Sequence, residues 1–300
     1  TKDVRDANVR AALRRAADPE VSRGGGRMGQ QASSSWRDGL SRAPDPRVEL
    51  LAGTKDVRDA AQLTARAFAG SDTAEPEGVL DWALGPELRT GPLFSCPGPD
   101  PPELRHECME YISTVNTLQS VRRGMILGVK NGQGTLVGAA LLLTPLTSHW
   151  LVDSMAESLA RLEARLAVGF SPPWTLRGEN RKAREARFAA IKQVIGPLHA
   201  ELAPGPHYYI NMISVDPTAQ GQGIGTAMLD AIGLMADRDG VPVYLEAGGD
   251  ARPRLYEKFG FKTVKLLPKI PVAEGSGAEP FQQESGLHLM LRPARQGDST

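Results

Sequence analysis

The sequence predicts an α/β protein of the α+β type, built as one domain around a hydrophobic core. Three observations point there. Asn131-Gly132-Gln133-Gly134 lies between two apolar runs, and Asn-Gly in that setting is the strongest short-range hairpin signal. Tyr208 to Asp239 reads as strand, glycine loop and helix in immediate succession. The rest of the chain lacks the repeated strand-helix alternation of a wholly parallel sheet.

Residues 1–46 are rich in Arg, Ala, Ser and Gly, carry Gly24-Gly25-Gly26 and Ser33-Ser34-Ser35, and are expected to form a disordered tail. Thr1-Lys2-Asp3-Val4-Arg5-Asp6-Ala7 recurs as Thr54-Lys55-Asp56-Val57-Arg58-Asp59-Ala60. No later segment continues the repeat, so a local duplication or a gene-model artefact is expected rather than a solenoid. The chain does not open with Met, and its true N-terminus, with any targeting peptide, is expected to lie upstream. Asp3, Asp6, Asp18 and Glu20 argue against an acid-poor transit peptide. The domain is expected over 47–293, with a helical insertion at about 148–206 and a C-terminal tail over 294–300.

Within it, Val48-Glu49-Leu50-Leu51 reads as a short strand. Val57, Ala61, Leu63, Ala67 and Phe68 follow a helical period behind a cap at Thr54 or Asp56. A helix over Glu103 to Leu118 follows the Pro/Gly-rich loop Gly91 to Pro102. Strands at Met125 to Val129 and Thr135 to Thr144 form the hairpin. Two helices, Leu151 to Ala167 and Asn180 to Ala203, flank Ser171-Pro172-Pro173. Arg181, Lys182, Arg184, Arg187 and Lys192 on the second are expected on a solvated face with Glu179 and Glu185 as partners. Tyr208 to Val215 is a strand ended by Asp216-Pro217. The helix after the glycine loop carries an apolar stripe of Ile224, Met228, Ala231 and Met235, and Asp239-Gly240 closes it. Val241 to Ala247 is the next strand.

Composition narrows the partners. Lys+Arg 35 against Asp+Glu 35 gives a formal net charge of zero, so the chain has no global attraction for nucleic acid or an anionic membrane. Neither partner is expected. Cys96 and Cys108 fit no metal pattern, and His106, His149, His199 and His288 have no ligand spacing, so no metal and no role for these histidines is expected. The longest apolar run, Leu136 to Leu143, falls short of the roughly 20 residues that cross a bilayer. A cytoplasmic location is expected, with organellar targeting left open, and a monomer or homodimer.

The chemistry concentrates between His207 and Phe261. Gln220-Gly221-Gln222-Gly223-Ile224-Gly225-Thr226 runs into a helix start, where residues without Cβ let backbone N–H groups converge on an anion and the helix dipole adds attraction. A phosphate-bearing ligand is expected. A Walker loop fails for want of its lysine. A dinucleotide fingerprint fits less well, because Thr226 stands at its third position and Asp216 to Gln220 separate strand from glycines.

Gln220-x-x-Gly223-x-Gly225 matches the Arg/Gln-x-x-Gly-x-Gly/Ala signature of the GNAT superfamily of N-acetyltransferases. Tyr244-Leu245-Glu246-Ala247 and Leu255-Tyr256-Glu257-Lys258-Phe259-Gly260-Phe261 resemble its second block. His207-x-Tyr209, Val215-Asp216-Pro217 and Leu245-Glu246 together are similar to the puromycin N-acetyltransferase-like and fungal-type branch. The resemblance is sharp over His207 to Val264 and architectural over Val48 to Thr144. It implies a mixed, mostly antiparallel sheet flanked by helices and splayed between the fourth and fifth strands. It also implies acetyl-CoA as co-substrate, with its diphosphate on the amides of Gly221 to Thr226, beside Gln220, and its pantetheine arm against the backbone of Ile213 and Val215. The activity implied is transfer of the acetyl group to a small-molecule or protein primary amine by direct attack in a ternary complex.

An amine of pKa about 10.4 is neutral in only about one molecule in a thousand near pH 7, so a base is worth having. Strand alternation places His207, Tyr209, Asn211, Ile213 and Val215 on one face. Tyr209 stands where relatives often have a glutamate, which makes Glu246 the nearest carboxylate, with His207 behind it. Tyr256 stands at the family's general acid. Asn, four residues before that Tyr in the puromycin branch, is Arg252 here, and Arg252 or Arg254 is a candidate for a coenzyme phosphate. Two other readings remain at this level: an acyl-CoA-binding sensor or scaffold without catalysis, and a Rossmann-type nicotinamide-dinucleotide protein. Gly223→Val or Gly225→Val is expected to abolish coenzyme binding, and unchanged affinity in calorimetry would refute the loop's assignment.

Overall fold

The computed structural model describes residues 45–69, 78–85, 88, 102–145, 169–176, 178 and 180–295, with isolated helical positions between 155 and 166. Most of the expected tail and most of the helix expected over Leu151 to Ala167 lie outside them.

The strands are β1 (Val48–Leu50), β2 (Gly124–Lys130), β3 (Leu136–Leu143), β4 (Tyr208–Val215), β5 (Val243–Gly248), β6 (Lys262–Ile270) and β7 (Phe281–Arg292). The helices are α1 (Thr54–Ala69), α2 (Gly78–Leu84), α3 (Pro102–Arg123), α4 (Pro173–Leu176), α5 (Arg181–Leu202), α6 (Ile224–Asp239) and α7 (Ala251–Glu257). One open sheet runs in the order β1-β2-β3-β4-β5-β7-β6, antiparallel except between β4 and β5. The mixed sheet expected from the resemblance is therefore the fold. The hairpin forms at Asn131, whose Oδ1 accepts from the amides of Gln133 at 3.0 Å and Thr135 at 2.9 Å. Sequence reasoning did not foresee α2, β6 or β7, and it ended α3 five residues early.

Two layers of helix cover the sheet. On one face α6 buries Ile224, Ala227, Met228, Ala231, Ile232 and Met235 against Leu127, Ala140, Leu142, Tyr208 and Ile210. Each large side chain so buried contributes about 1.5–3 kcal/mol. On the other face α1 and α3 pack Val57, Leu63, Leu104, Met109 and Leu118 on Ile126, Leu141 and Met212. Beside them α5 packs on Tyr244, Leu267 and Leu289. The solvated basic face expected on α5 is only half present. Arg181 pairs with Glu185 at 3.8 Å, but Arg184 is fully buried and Arg187 nearly so, because α5 lies flat on the protein rather than projecting into water.

The end of α6 and the last strand are tied together. Arg292 on β7 donates to both oxygens of Asp237, at 2.8 and 2.6 Å, and to the carbonyl of Phe259 at 3.0 Å. Gly240, at φ +67°, terminates the helix as expected. The start of α6 is set from beneath by Gly138 on β3, where a Cβ would come within 2.4 Å of Ile224 Cγ2. Gly138→Val should push the first turn of α6 off the sheet, costing about 1–3 kcal/mol of stability as overpacking does. Denaturant unfolding would show this, and acetyl-CoA affinity should fall with it. A variant as stable and as tight-binding as the parent would contradict this account of the helix start.

Candidate active site

The site begins where β4 leaves β5. Their parallel pairing consists of Tyr208 with Val243 and Tyr209 with Tyr244, and the strands part beyond those two pairs. From Ile210 onward β4 pairs only with β3. Its other edge offers backbone donors and acceptors to a strand-like ligand.

On the α6 face stands the glycine loop. Asp216 accepts from the amide of Thr218 at 3.0 Å and turns the chain out of β4. Gly221 and Gly223 have φ of +80° and +74°, a region that favours glycine, and a Cβ on either would meet no atom within 4 Å. The first helical bond of α6 runs from Ala227 N–H to Gly223 O, so the amides of Ile224, Gly225 and Thr226 precede it at the positive end of the helix. Gly225 faces Val215, whose Cγ2 lies 3.7 Å from a Cβ built there. A diphosphate fits this open, positively polarised bend. Arg252, a candidate for a phosphate, donates instead to the carbonyl of Gly248 at 3.3 Å, and Arg254 is exposed on α7.

On the opposite face stands a carboxylate. Glu246 on β5 accepts from Tyr209 Oη at 2.9 Å through Oε2, while Oε1 is buried with no hydrogen-bond partner. Tyr244 Oη is likewise buried with no partner at hydrogen-bond geometry, yet it lies near enough to Glu246 to lower the carboxylate's proton affinity. Burial pushes Glu246 up to about 7 despite the hydrogen bond from Tyr209. Burial and the adjacent carboxylate push the phenols of Tyr209 and Tyr244 up, so both stay protonated. Glu246 is therefore a carboxylate of raised proton affinity with one oxygen lacking a hydrogen-bond partner.

Tyr209 and Asn211 do share a face, Asn211 Nδ2 donating to Asn116 Oδ1 on α3 at 3.1 Å. The expected alternation fails beyond them. A bulge leaves Asn211 between the pairs Leu142 with Ile210 and Leu141 with Met212. It swaps the faces, so Ile213 and Val215 pack toward α6 rather than beside Tyr209. Tyr256 also lies on the α6 face, edge-on to Phe261 with ring centroids 5.8 Å apart, and across the sheet from the Glu246 side chain. His207 stands at the mouth of the carboxylate side. Its Nε2 is 2.9 Å from Nε2 of His199, whose spacing in the sequence carries no ligand pattern. His199 stacks on Tyr244 with centroids 4.2 Å apart and meets Tyr209 edge-on at 4.6 Å. Only the packing of α5 brings it there. Among the described residues no group of three metal-ligating side chains occurs, and no helix is long and apolar enough to cross a membrane.

The sheet is thus open and parted between two parallel strands, with the glycine bend on one face and Glu246 on the other. The family model described as Acetyltransferase (GNAT) domain matches residues 184–263. Over 152 residues the chain is 32% identical to N-alpha-acetyltransferase RimI of Mycobacterium tuberculosis, covering 47% of this chain and 94% of that relative. The chain belongs to the GNAT acetyltransferase family, whose co-substrate is acetyl-CoA. Among solved structures it is similar in fold to the C-terminal condensation domain of Ebony in complex with beta-alanyl-dopamine. That match has a TM-score of 0.50 at 11% identity, covering 82% of this chain and 98% of that one. A further match is arylalkylamine N-acetyltransferase 2 of Aedes aegypti, with a TM-score of 0.48 at 15% identity, covering 83% and 99%.

Carboxyl-carbon NMR should give Glu246 a midpoint of about 7. Tyr209→Phe should move it higher, because the lost hydrogen bond favours the ionised form. A midpoint at the ordinary glutamate value of about 4.3 would remove the electrostatic basis of the site.

Proposed function

We propose that the chain transfers the acetyl group of acetyl-CoA to a primary amine by direct attack within a ternary complex. The observation that carries this is Glu246: one carboxylate oxygen held by Tyr209, the other buried and unpartnered, on the face of the sheet opposite the glycine cradle. The amides of Gly221 to Thr226 would hold the diphosphate, and the free edge of β4 at Ile213 and Val215 would align the pantetheine arm. When bound, the thioester supplies an activated acyl carbon.

The amine enters from the α3 and α5 side as an ammonium. Glu246 Oε1 accepts a proton from it, leaving a neutral nitrogen to attack through the gap between β4 and β5. Tyr209 and His207 orient the carboxylate side. Tyr256, across the sheet, protonates the departing thiolate. A thiol of pKa about 8.5 leaves readily, so Tyr256 contributes near or below the low end of the usual 10²- to 10⁴-fold range. Sensing or scaffolding without chemistry gives no reason to hold a carboxylate at about 7 across the sheet from an open bend for an acyl carrier. Kinship with the puromycin N-acetyltransferase-like branch rests on His207-x-Tyr209, Val215-Asp216-Pro217 and Leu245-Glu246 alone. The domain limits of 47–293 and a cytoplasmic setting are part of the same proposal.

Thiol release from acetyl-CoA with a panel of 2-phenylethylamine, 1,4-diaminobutane, puromycin and an alanine-initiated peptide tests the reading. Activity should rise with pH through about 7 as Glu246 ionises, and Glu246→Gln should lower kcat by about 10² or more. Tyr256→Phe should lower kcat more than acetyl-CoA affinity. Full activity in Glu246→Gln would overturn the role given to the carboxylate.

A further inference from the structure

We propose that His199 and His207 form a directed proton relay from the Glu246 pocket to solvent, with His199 its inner member. This rests on the reading of Glu246 as base. An ammonium R–NH3+ and CH3CO–S–CoA give R–NH–COCH3, HS–CoA and one H+, so one proton must leave the site in each turnover. Glu246 lies behind Tyr209 and Tyr244, half-buried, and its proton needs a route outward.

A carbonyl fixes the direction of that route. Gly205 O can only accept, so His207 Nδ1, 2.7 Å away, carries a hydrogen. His207 Nε2 is then a lone pair, and His199 Nε2, 2.9 Å from it, must be the donor. His199 Nδ1 is left as the pair's free basic nitrogen. Its ring lies face-on to Tyr244 and edge-on to Tyr209, the two phenols that surround Glu246. A proton reaching His199 Nδ1 drives the Nε2 proton onto His207 Nε2. The proton on His207 Nδ1 then passes to water beside Gly205 and Pro206, which are exposed. One proton enters and one leaves, and tautomer exchange resets the pair.

Burial, with the charge of His207 adding to it, drops His199 to about 4. His199 therefore stays neutral and passes charge rather than storing it. Among the described residues, the titratable groups against its ring are His207 from the loop before β4, Tyr209 from β4 and Tyr244 from β5, with Glu246 behind the phenols. His199 acts through these groups and is a positioning residue.

Two measurements test the relay. Imidazole nitrogen NMR of the substrate-free protein at pH 7 should show His207 protonated on Nδ1 and His199 on Nε2. The opposite tautomer at either ring overturns the proposal whether or not any variant folds. His199→Phe keeps a ring against Tyr244 but removes both nitrogens. With acetyl-CoA and the fastest amine of the panel above, kcat should fall roughly tenfold with both KM values unchanged, and added imidazole should restore part of the rate. An unchanged kcat, or a loss carried by KM, overturns the relay. Wild-type turnover of that amine is the separate check on the acetyltransferase reading.

Discussion

The parting of β4 from β5 after two register pairs governs the rest of the structure. A central strand normally satisfies its backbone on both edges, and an unpaired buried edge costs free energy comparable to lost hydrogen bonds. Here β4 gives up that pairing from Ile210 onward, and β7 and β6 complete the sheet on the far side of β5. The gap makes one sheet serve two faces, so a ligand on the α6 side and a ligand on the α5 side can meet in the plane between them.

The bulge at Asn211 divides the work. Without it Ile213 and Val215 would share the face of Tyr209 and Asn211, and Met212 and Ser214 would turn toward α6. One extra residue turns Ile213 and Val215 toward α6, leaving Tyr209 and Asn211 with α5 and α3. Gly138 beneath Ile224 lets α6 start close to the sheet, which sets where its first amides point. Arg292 and Asp237 fix the other end of the same helix.

Electrostatics follows from that division. The loop side offers the first amides of α6. The α5 side offers Glu246 among phenols, with the neutral imidazole of His199 beyond them, and burial raises the carboxylate's proton affinity. The thickness of the sheet keeps Glu246 apart from the positively polarised start of α6.

The sequence by itself determined the local pieces: the Asn131 hairpin, the Gly240 stop, the strand, glycine loop and helix from Tyr208 to Asp239, and the candidates Glu246, Tyr209, His207 and Tyr256. Each depends on chemistry within a few residues: turn geometry, left-handed glycines, a 3.6-residue stripe, a motif of fixed spacing. It missed β7, which takes meaning only as the partner of β5, and β6, which pairs with β7 in turn. It placed Ile213 and Val215 on the wrong face, because a bulge is decided by pairing with β3 and leaves no mark on alternation. It did not place His199 against Tyr209 and Tyr244 and it put Arg184 in water, because the angle at which α5 lies on the sheet comes from side chains far away in the chain. Tertiary packing alone decided those, since contact between distant segments is a property of the folded whole and not of spacing along the chain.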